Sequence, residues 1–230
     1  MKLAESLRAR VPFAALAALI ALPGLHAAAG EIPLYPTGPA QDAAFVRFVD
    51  GGSAPLQVVA KDGQLPLQLS AARPVSPFFP VGASSTITGT LVSGGKRLAV
   101  SVKAQPGEFT TVVALPDGKG LRQVTVHDVP DDFNGLKASL GFFNLDGSCA
   151  NPALRVAGRA VDIFKGVPEG HLQRRSINPV KLAVQLACAN ADVGPALDLG
   201  QLKAGERYSV LLLPTAAGPR LLFATDSVAH

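Results

Sequence analysis

The chain has 230 residues, 48% of them apolar, with 21 Lys and Arg against 17 Asp and Glu and a formal net charge of +4. The apolar share supports a sizeable core. The basic residues do not form the clustered face of a nucleic-acid binder, and beyond the N-terminal region no segment is long and apolar enough to cross a bilayer.

The first 29 residues have the three parts of a signal peptide. Lys2, Arg8 and Arg10 form a positive start, and Val11 to Leu25 is an apolar stretch interrupted by Pro12 and Pro23. Ala27-Ala28-Ala29 places small residues at a cleavage site, so the mature chain is expected to begin near Gly30 and to reside in the periplasm or outside the cell. The alternative, an uncleaved anchor, is opposed by the shortness of the apolar stretch. The leader holds three basic residues and Glu5, so its removal leaves a mature charge near +2, and the precursor pI near 9.3 overstates the basic character.

After the leader the pattern is β throughout: runs of Val, Leu, Phe and Thr bounded by Gly, Pro, Asp and Ser. Strands are expected over Ala44 to Val49, Leu56 to Ala60 and Leu65 to Leu69, the last two joined by an Asp62-Gly63 hairpin turn. Further strands follow over Thr86 to Val92, Leu98 to Ala104, Phe109 to Leu115 and Leu121 to Val129. No stretch carries an apolar stripe at helical spacing over three turns.

The sequence also repeats. Gln105 to Val129, laid over Lys203 to Ser227 without a gap, has 8 identities in 25 positions. They include Gly107-Glu108 with Gly205-Glu206, Leu115-Pro116 with Leu213-Pro214, Arg122 with Arg220, and Asp128 with Asp226. Ala44 to Asp50 more faintly echoes Ala138 to Asn144, and Asp50-Gly51 echoes Asp146-Gly147. A period just under 100 residues is the size of one sandwich domain. The expectation is therefore an all-β chain: a leader over 1–29, a β-sandwich over 31–130, a polar linker from Pro130 to Gly135, and a second sandwich over 136–230. The alternative is one larger sandwich built from a duplicated half.

Cys149 and Cys188 are the only cysteines. In an oxidising compartment an even pair reads as a disulfide, and closing a loop of about 39 residues is worth roughly 4 kcal/mol in the chain-entropy model. An activated thiol or a metal site is poorly supported without CxxC spacing or a cluster of His. The mature chain has three His, at 127, 171 and 230. There is no G-x-S-x-G elbow, no H-E-x-x-H and no glycine-rich phosphate loop. No catalytic residue, cofactor or metal ligand is expected. His127 beside Asp128 reads as an edge or loop histidine with a local hydrogen bond, and Asp131-Asp132 as a solvated turn. Sugar stacking would need aromatic platforms, and the chain has no Trp and two Tyr, Tyr35 and Tyr208. Pro77-Phe78-Phe79-Pro80 reads equally well as an exposed apolar patch or as core. His171, Arg174 and Arg175 make a basic cluster, expected in a loop, whose guanidiniums suit the carboxylates of a polyuronate or an acidic partner.

The mature N-terminus, Leu34-Tyr35-Pro36-Thr37-Gly38-Pro39 followed by Ala44-Phe45-Val46-Arg47-Phe48-Val49, resembles the opening of the AlgF family of alginate biosynthesis proteins. The leader, the mature length and the β duplication fit the same family. The resemblance implies two tandem sandwiches similar to carbohydrate-binding modules. It also implies a non-catalytic periplasmic role in O-acetylating alginate, connecting a membrane O-acyltransferase with periplasmic esterase-like transferases. Direct contact with the polymer is the alternative implication, as is service to a related acetylated polysaccharide.

Overall fold

The computed structural model describes residues 43–61, 66–130 and 134–229. The leader, Leu34 to Pro39, the Asp62-Gly63 turn and Asp131-Asp132 lie outside the described residues. The described residues form sixteen strands, of which the first half holds, in chain order, β1 (Ala43–Asp50), β2 (Leu56–Ala60), β3 (Leu67–Leu69), β4 (Phe79–Gly82), β5 (Thr86–Ser93), β6 (Lys96–Lys103), β7 (Phe109–Asp117) and β8 (Gly120–Asp128). The second half continues with β9 (Ala138–Asn144), β10 (Ala153–Val156), β11 (Asp162–Lys165), β12 (His171–Ile177), β13 (Lys181–Cys188), β14 (Ala191–Gln201), β15 (Arg207–Leu213) and β16 (Arg220–Thr225).

The strands form four four-stranded sheets, two to each sandwich. The orders β4-β1-β7-β8 and β3-β2-β5-β6 in the first half recur as β12-β9-β15-β16 and β11-β10-β13-β14 in the second. Even the unusual parallel pair recurs: β1 runs parallel to β7, and β9 parallel to β15. Thr111 lies opposite Arg47, and Ser209 lies opposite Gly141. The structural equivalence thus follows the sequence repeat, with the faint early echo in register too. Gly107 and Gly205 occupy the same turn with φ of 73° and 78°, a backbone conformation that disfavours any side chain.

Side-chain alternation explains how the sheets stack. β6 alternates exposed and buried positions, as a sheet with one solvated face must. β7 and β15 instead are buried at every position over Phe109–Leu115 and Tyr208–Leu213, Thr110, Thr111 and Ser209 included, so both of their faces are covered. Val112 and Ala114 point into the core of the first sandwich, together with Val46, Leu56 and Leu91. Val210 and Leu212 do the same in the second, with Leu140, Phe142 and Leu186. The alternate residues meet between the sandwiches: Val49, Val113, Leu115 and Val126 pack with Phe143, Leu145, Leu211 and Leu213 in a third core. The sheets carrying the parallel pairs therefore face each other, and the described residues all fall within one compact unit.

Two local readings are corrected. Pro116 does not end β7; it is paired within the strand opposite Leu121, and the hairpin turns at Gly118. The Pro77 to Pro80 segment contributes a strand, β4, which pairs with β1. It divides the two readings between its phenyl rings: Phe78 is core and Phe79 is half-buried.

Cys149 and Cys188 form a disulfide with Cα atoms 5.1 Å apart, tying the loop after β9 to the end of β13. Replacing both with serine is expected to lower stability by about 2–4 kcal/mol, read as a lower urea midpoint with an m value that rises as the unfolded chain is released from its cross-link. An unchanged midpoint would show that the bridge does not constrain the unfolded chain.

Candidate functional site at the seam between the sandwiches

The densest polar chemistry in the described chain lies at the seam between the two sandwiches. Arg47 sits mid-strand in β1, pointing away from the first sandwich core, and is completely buried. Its Nε donates to Thr111 Oγ1 at 3.0 Å, its Nη2 to Ser209 Oγ at 2.8 Å, and its Nη1 to Asp226 Oδ1 at 2.7 Å. Its guanidinium also lies 4.5 Å from the Phe78 ring centroid and 5.4 Å from that of Phe143. Ser209 donates to the same Asp226 oxygen at 2.7 Å. The first sandwich thus supplies the arginine and the second its carboxylate.

The reciprocal pair has the opposite parentage. Arg174 on β12 donates from Nε to Asp128 Oδ2 at 2.9 Å, and Arg207 adds a bond from Nη2 to the same oxygen at 3.0 Å. Arg174 Nη2 reaches Asp226 Oδ2 at 3.2 Å, joining both halves of the network. Asp128 and Asp226 are equivalent positions of the repeat. A second reciprocal pair flanks them: Arg122 binds Glu169 at 3.2 Å, while its equivalent Arg220 acts electrostatically on buried Asp50. Interfaces of related halves take this form when each surface serves the other.

Geometry explains how two arginines fit. A Cβ on Gly141 would stand 2.9 Å from Arg174 Nη2 and 3.2 Å from Phe143 Cε2, so glycine opens the floor on which the guanidinium lies. In the first sandwich the equivalent of Gly141 is Arg47 itself.

The electrostatics follow from burial. Desolvation is the largest influence on Arg47 and lowers it from the usual guanidinium range, opposed by the attraction of Asp226. Arg207 is lowered by burial and then by Arg174. For Asp226, burial pushes upward, but Arg47, Arg174 and Ser209 together hold its carboxyl below the ordinary value. Asp50 is raised by burial, countered by Gly52 N–H and Arg220.

The remaining candidates are spread around this seam. His171, Arg174 and Arg175 lie on strand β12, not in a loop, and alternation separates them. Arg174 is consumed by the seam, while His171 and Arg175 are exposed and Arg175 lies 5.8 Å from the Phe164 centroid. His127 is half exposed on edge strand β8, and its Nδ1 is hydrogen-bonded to Oε1 of buried Glu108. Thr110 Oγ1 donates to that same oxygen. The carboxylate, not the imidazole, occupies the middle, so His127 is not placed to deprotonate Thr110 as a triad base would. Among the described residues no group of three or more His, Cys, Asp or Glu is placed to hold a metal ion. An apolar groove of about 670 Å³ opens between the sheets of the first sandwich, lined by Phe48, Val58, Phe79 and Ile87 among others.

Arg47, Asp128, Arg207 and Asp226 were not singled out as a group by sequence reasoning. The available signals were an arginine inside the apolar run Phe45 to Val49 and two aspartates preserved in the repeat.

These features define a class: a duplicated β-sandwich protein whose buried charges join its halves. The chain belongs to the AlgF family, described as alginate O-acetyl transferase AlgF, whose model matches residues 17–209. Among solved structures, the C-terminal domain of AlgF from P. aeruginosa is 25% identical over 39% of this chain and 98% of that one, with a TM-score of 0.34. The Bacillus anthracis TIE protein is 10% identical, covering 74% of this chain and 34% of that one (TM-score 0.26). A putative cell adhesion protein from Bacteroides ovatus is 11% identical, covering 81% and 98% (TM-score 0.26). No curated protein sequence matches the chain.

Arg47→Met is expected to destabilise the protein by about 3 kcal/mol, because it removes the closer of the two arginines from buried Asp226 and the donor that Thr111 and Ser209 accept from. Arg47→Met with Asp226→Leu should cost less than the sum of the two single changes, as measured by urea unfolding; simple additivity would mean that the pair is not coupled.

The acid limb carries a sign. Asp226 has a lowered folded pKa, so its stabilisation is full above the ordinary carboxylate value near 4 and is lost as pH falls through the folded value. Asp226→Asn should therefore lose stability at pH 7 and show a shallower decline below about pH 4. An unaltered acid limb in denaturation curves would refute this assignment.

Proposed function

We propose that this chain is a non-catalytic periplasmic adaptor for alginate O-acetylation, linking a membrane O-acyltransferase to periplasmic acetyltransferase proteins. Membership of the AlgF family supports the process, and the disulfide supports an extracytoplasmic site. The observation that carries the adaptor reading is the seam. The most concentrated set of buried charged groups is spent on holding two sandwiches in one fixed arrangement. An adaptor needs that property, because two partners can be held at a set separation only by a body that does not flex between them. The His127–Glu108–Thr110 order gives no support to an acyl-transfer site.

The proposal includes a leader over 1–29 and sandwiches over 31–130 and 136–230. His171 and Arg175, both exposed on β12, are proposed contacts for a partner or an anionic polymer, with Arg174 behind them as their anchor to the seam.

Pull-down from a native membrane extract with the mature chain as bait is expected to recover the membrane O-acyltransferase and a periplasmic acetyltransferase. Recovery of neither, or turnover of an acetyl ester by the pure chain that persists after removal of trace esterase, would sink the adaptor reading.

A further inference from the structure

We infer that the apolar groove of the first sandwich is a binding site for one molecule of free fatty acid. The groove belongs neither to the seam nor to β12, and the inference stands apart from the adaptor reading above.

The first observation is a difference between two equivalent positions. Phe48 lies opposite Val112 in β7, and Phe142 lies opposite Val210 in β15, so the two phenylalanines hold the same place in the repeat. Phe142 is fully buried and stacked on Phe164 of β11, with ring centroids 6.0 Å apart. The counterpart of β11 in sheet order is β3, whose core residues are Leu67 and Leu69. Leucine therefore stands where the second sandwich has a ring. Phe48 is half-buried beside a groove of about 670 Å³.

The second observation is the lining. Val46, Phe48, Val58, Leu67, Val81 and Ile87 form its walls, no charged residue contributes, and Thr88 and Thr90 bring the only hydroxyls. All six wall residues belong to the core cluster or pack against it, yet five of them, all but Val46, are only half-buried. An apolar surface left to water in this way marks a binding site. Concave apolar spaces of about 300–1,000 Å³ are the usual form of a small-molecule site.

The third observation is what stands at one end. Lys61 directly follows the lining residue Ala60, and its backbone N–H donates to the carbonyl of Thr88 at 3.3 Å. Lys103 lies opposite Thr86, next to the lining residue Ile87. Both lysines are exposed, and neither forms an ion pair with a described residue. Cations at that end and hydrocarbon within match a carboxylate carried on an aliphatic chain.

A fatty acid suits the groove better than a polypeptide. A strand would bring an N–H and a carbonyl at every residue, each needing a partner. The edge strand at the groove, β4, has four residues, and one of them is Pro80, which has no N–H to offer. Phe78, just before it, is already paired with the C-terminal tail: its N–H donates to Ser227 O, and Ala229 N–H donates to Phe78 O. A hydrocarbon chain has no such groups to satisfy.

The test is isothermal titration calorimetry of the purified chain with saturated fatty acids from octanoate to dodecanoate, held below micelle formation. Wild type should bind one molecule, with affinity rising about fourfold for each added methylene and a negative heat-capacity change. Leu67→Phe supplies the ring that β3 lacks and should weaken dodecanoate about tenfold or more. Lys61→Glu/Lys103→Glu should weaken dodecanoate about fivefold to tenfold and leave dodecanol near its wild-type affinity. Lys165→Glu/Lys181→Glu makes the same charge change on the second sandwich and should leave both ligands unaffected. These four lysines are exposed, so both charge variants should match wild type in thermal unfolding and decide the matter even if Leu67→Phe fails to fold. No binding by wild type, unaltered binding by Leu67→Phe, or equal loss in the two charge variants overturns the site. If wild type ignores fatty acids while Leu67→Phe loses its protein partners in the pull-down, the groove takes a polypeptide and the inference fails. Retained partners with lost dodecanoate binding uphold it whether or not the adaptor reading stands.

Discussion

The structure depends on one buried ion pair, Arg47 with Asp226, 2.7 Å apart across the two sandwiches. Moving either group out of water is costly, and the mutual attraction offsets that cost only if the remaining hydrogen-bonding groups are also met. Thr111, Ser209, Arg174 and two phenyl rings meet them here. A network of this kind tolerates little displacement. A slide of one sandwich by an ångström or two would leave a charge in a space closed to water. The apolar third core supplies attraction between the halves, and the charges select one arrangement among those that attraction would allow.

Duplication has produced related halves that are not interchangeable. Asp128 and Asp226 are preserved because each serves an arginine of the other half. The arginines themselves arise differently. In the first half Arg47 comes from the first strand and lies against Phe78. In the second, Arg174 comes from the fourth strand and lies over Gly141, the position equivalent to Arg47. Arginine at both first-strand positions would place a side chain where the Arg174 guanidinium already lies.

The fold was legible where periodicity and turn chemistry agreed. The β7 and β15 regions declared themselves through shared glycines and prolines, and the disulfide followed from an isolated pair of cysteines in a chain expected to be exported. β4 was missed because Pro77 and Pro80 read as breaks, yet a proline is tolerated where its ring displaces no required ladder donor. The site was harder to read for a physical reason. A charged residue in a sequence is ordinarily assigned to water, and burial depends on a partner about 180 residues away. Arg174 was singled out as an exposed contact; the same guanidinium chemistry that suits a polymer carboxylate suits Asp128 and Asp226. The inward face of β12 decides between them, and strand phase is not fixed by composition.

The same burial changes what net charge means. A count near +2 for residues 30–230 treats every carboxylate as if it faced solvent. In the first sandwich Asp128 is held in the seam, Glu108 is closed beneath His127, and Asp50 is folded into its own turn. Asp128 is paired with Arg174 and Arg207, while Asp50 and Glu108 are held by hydrogen bonds from Gly52 N–H and from Gln105 N–H and Thr110, so what lies open to solvent is mainly the exposed lysines and arginines. The seam that fixes the two sandwiches thereby also shapes the field outside them. Whatever approaches the first sandwich encounters a surface that its overall composition does not describe.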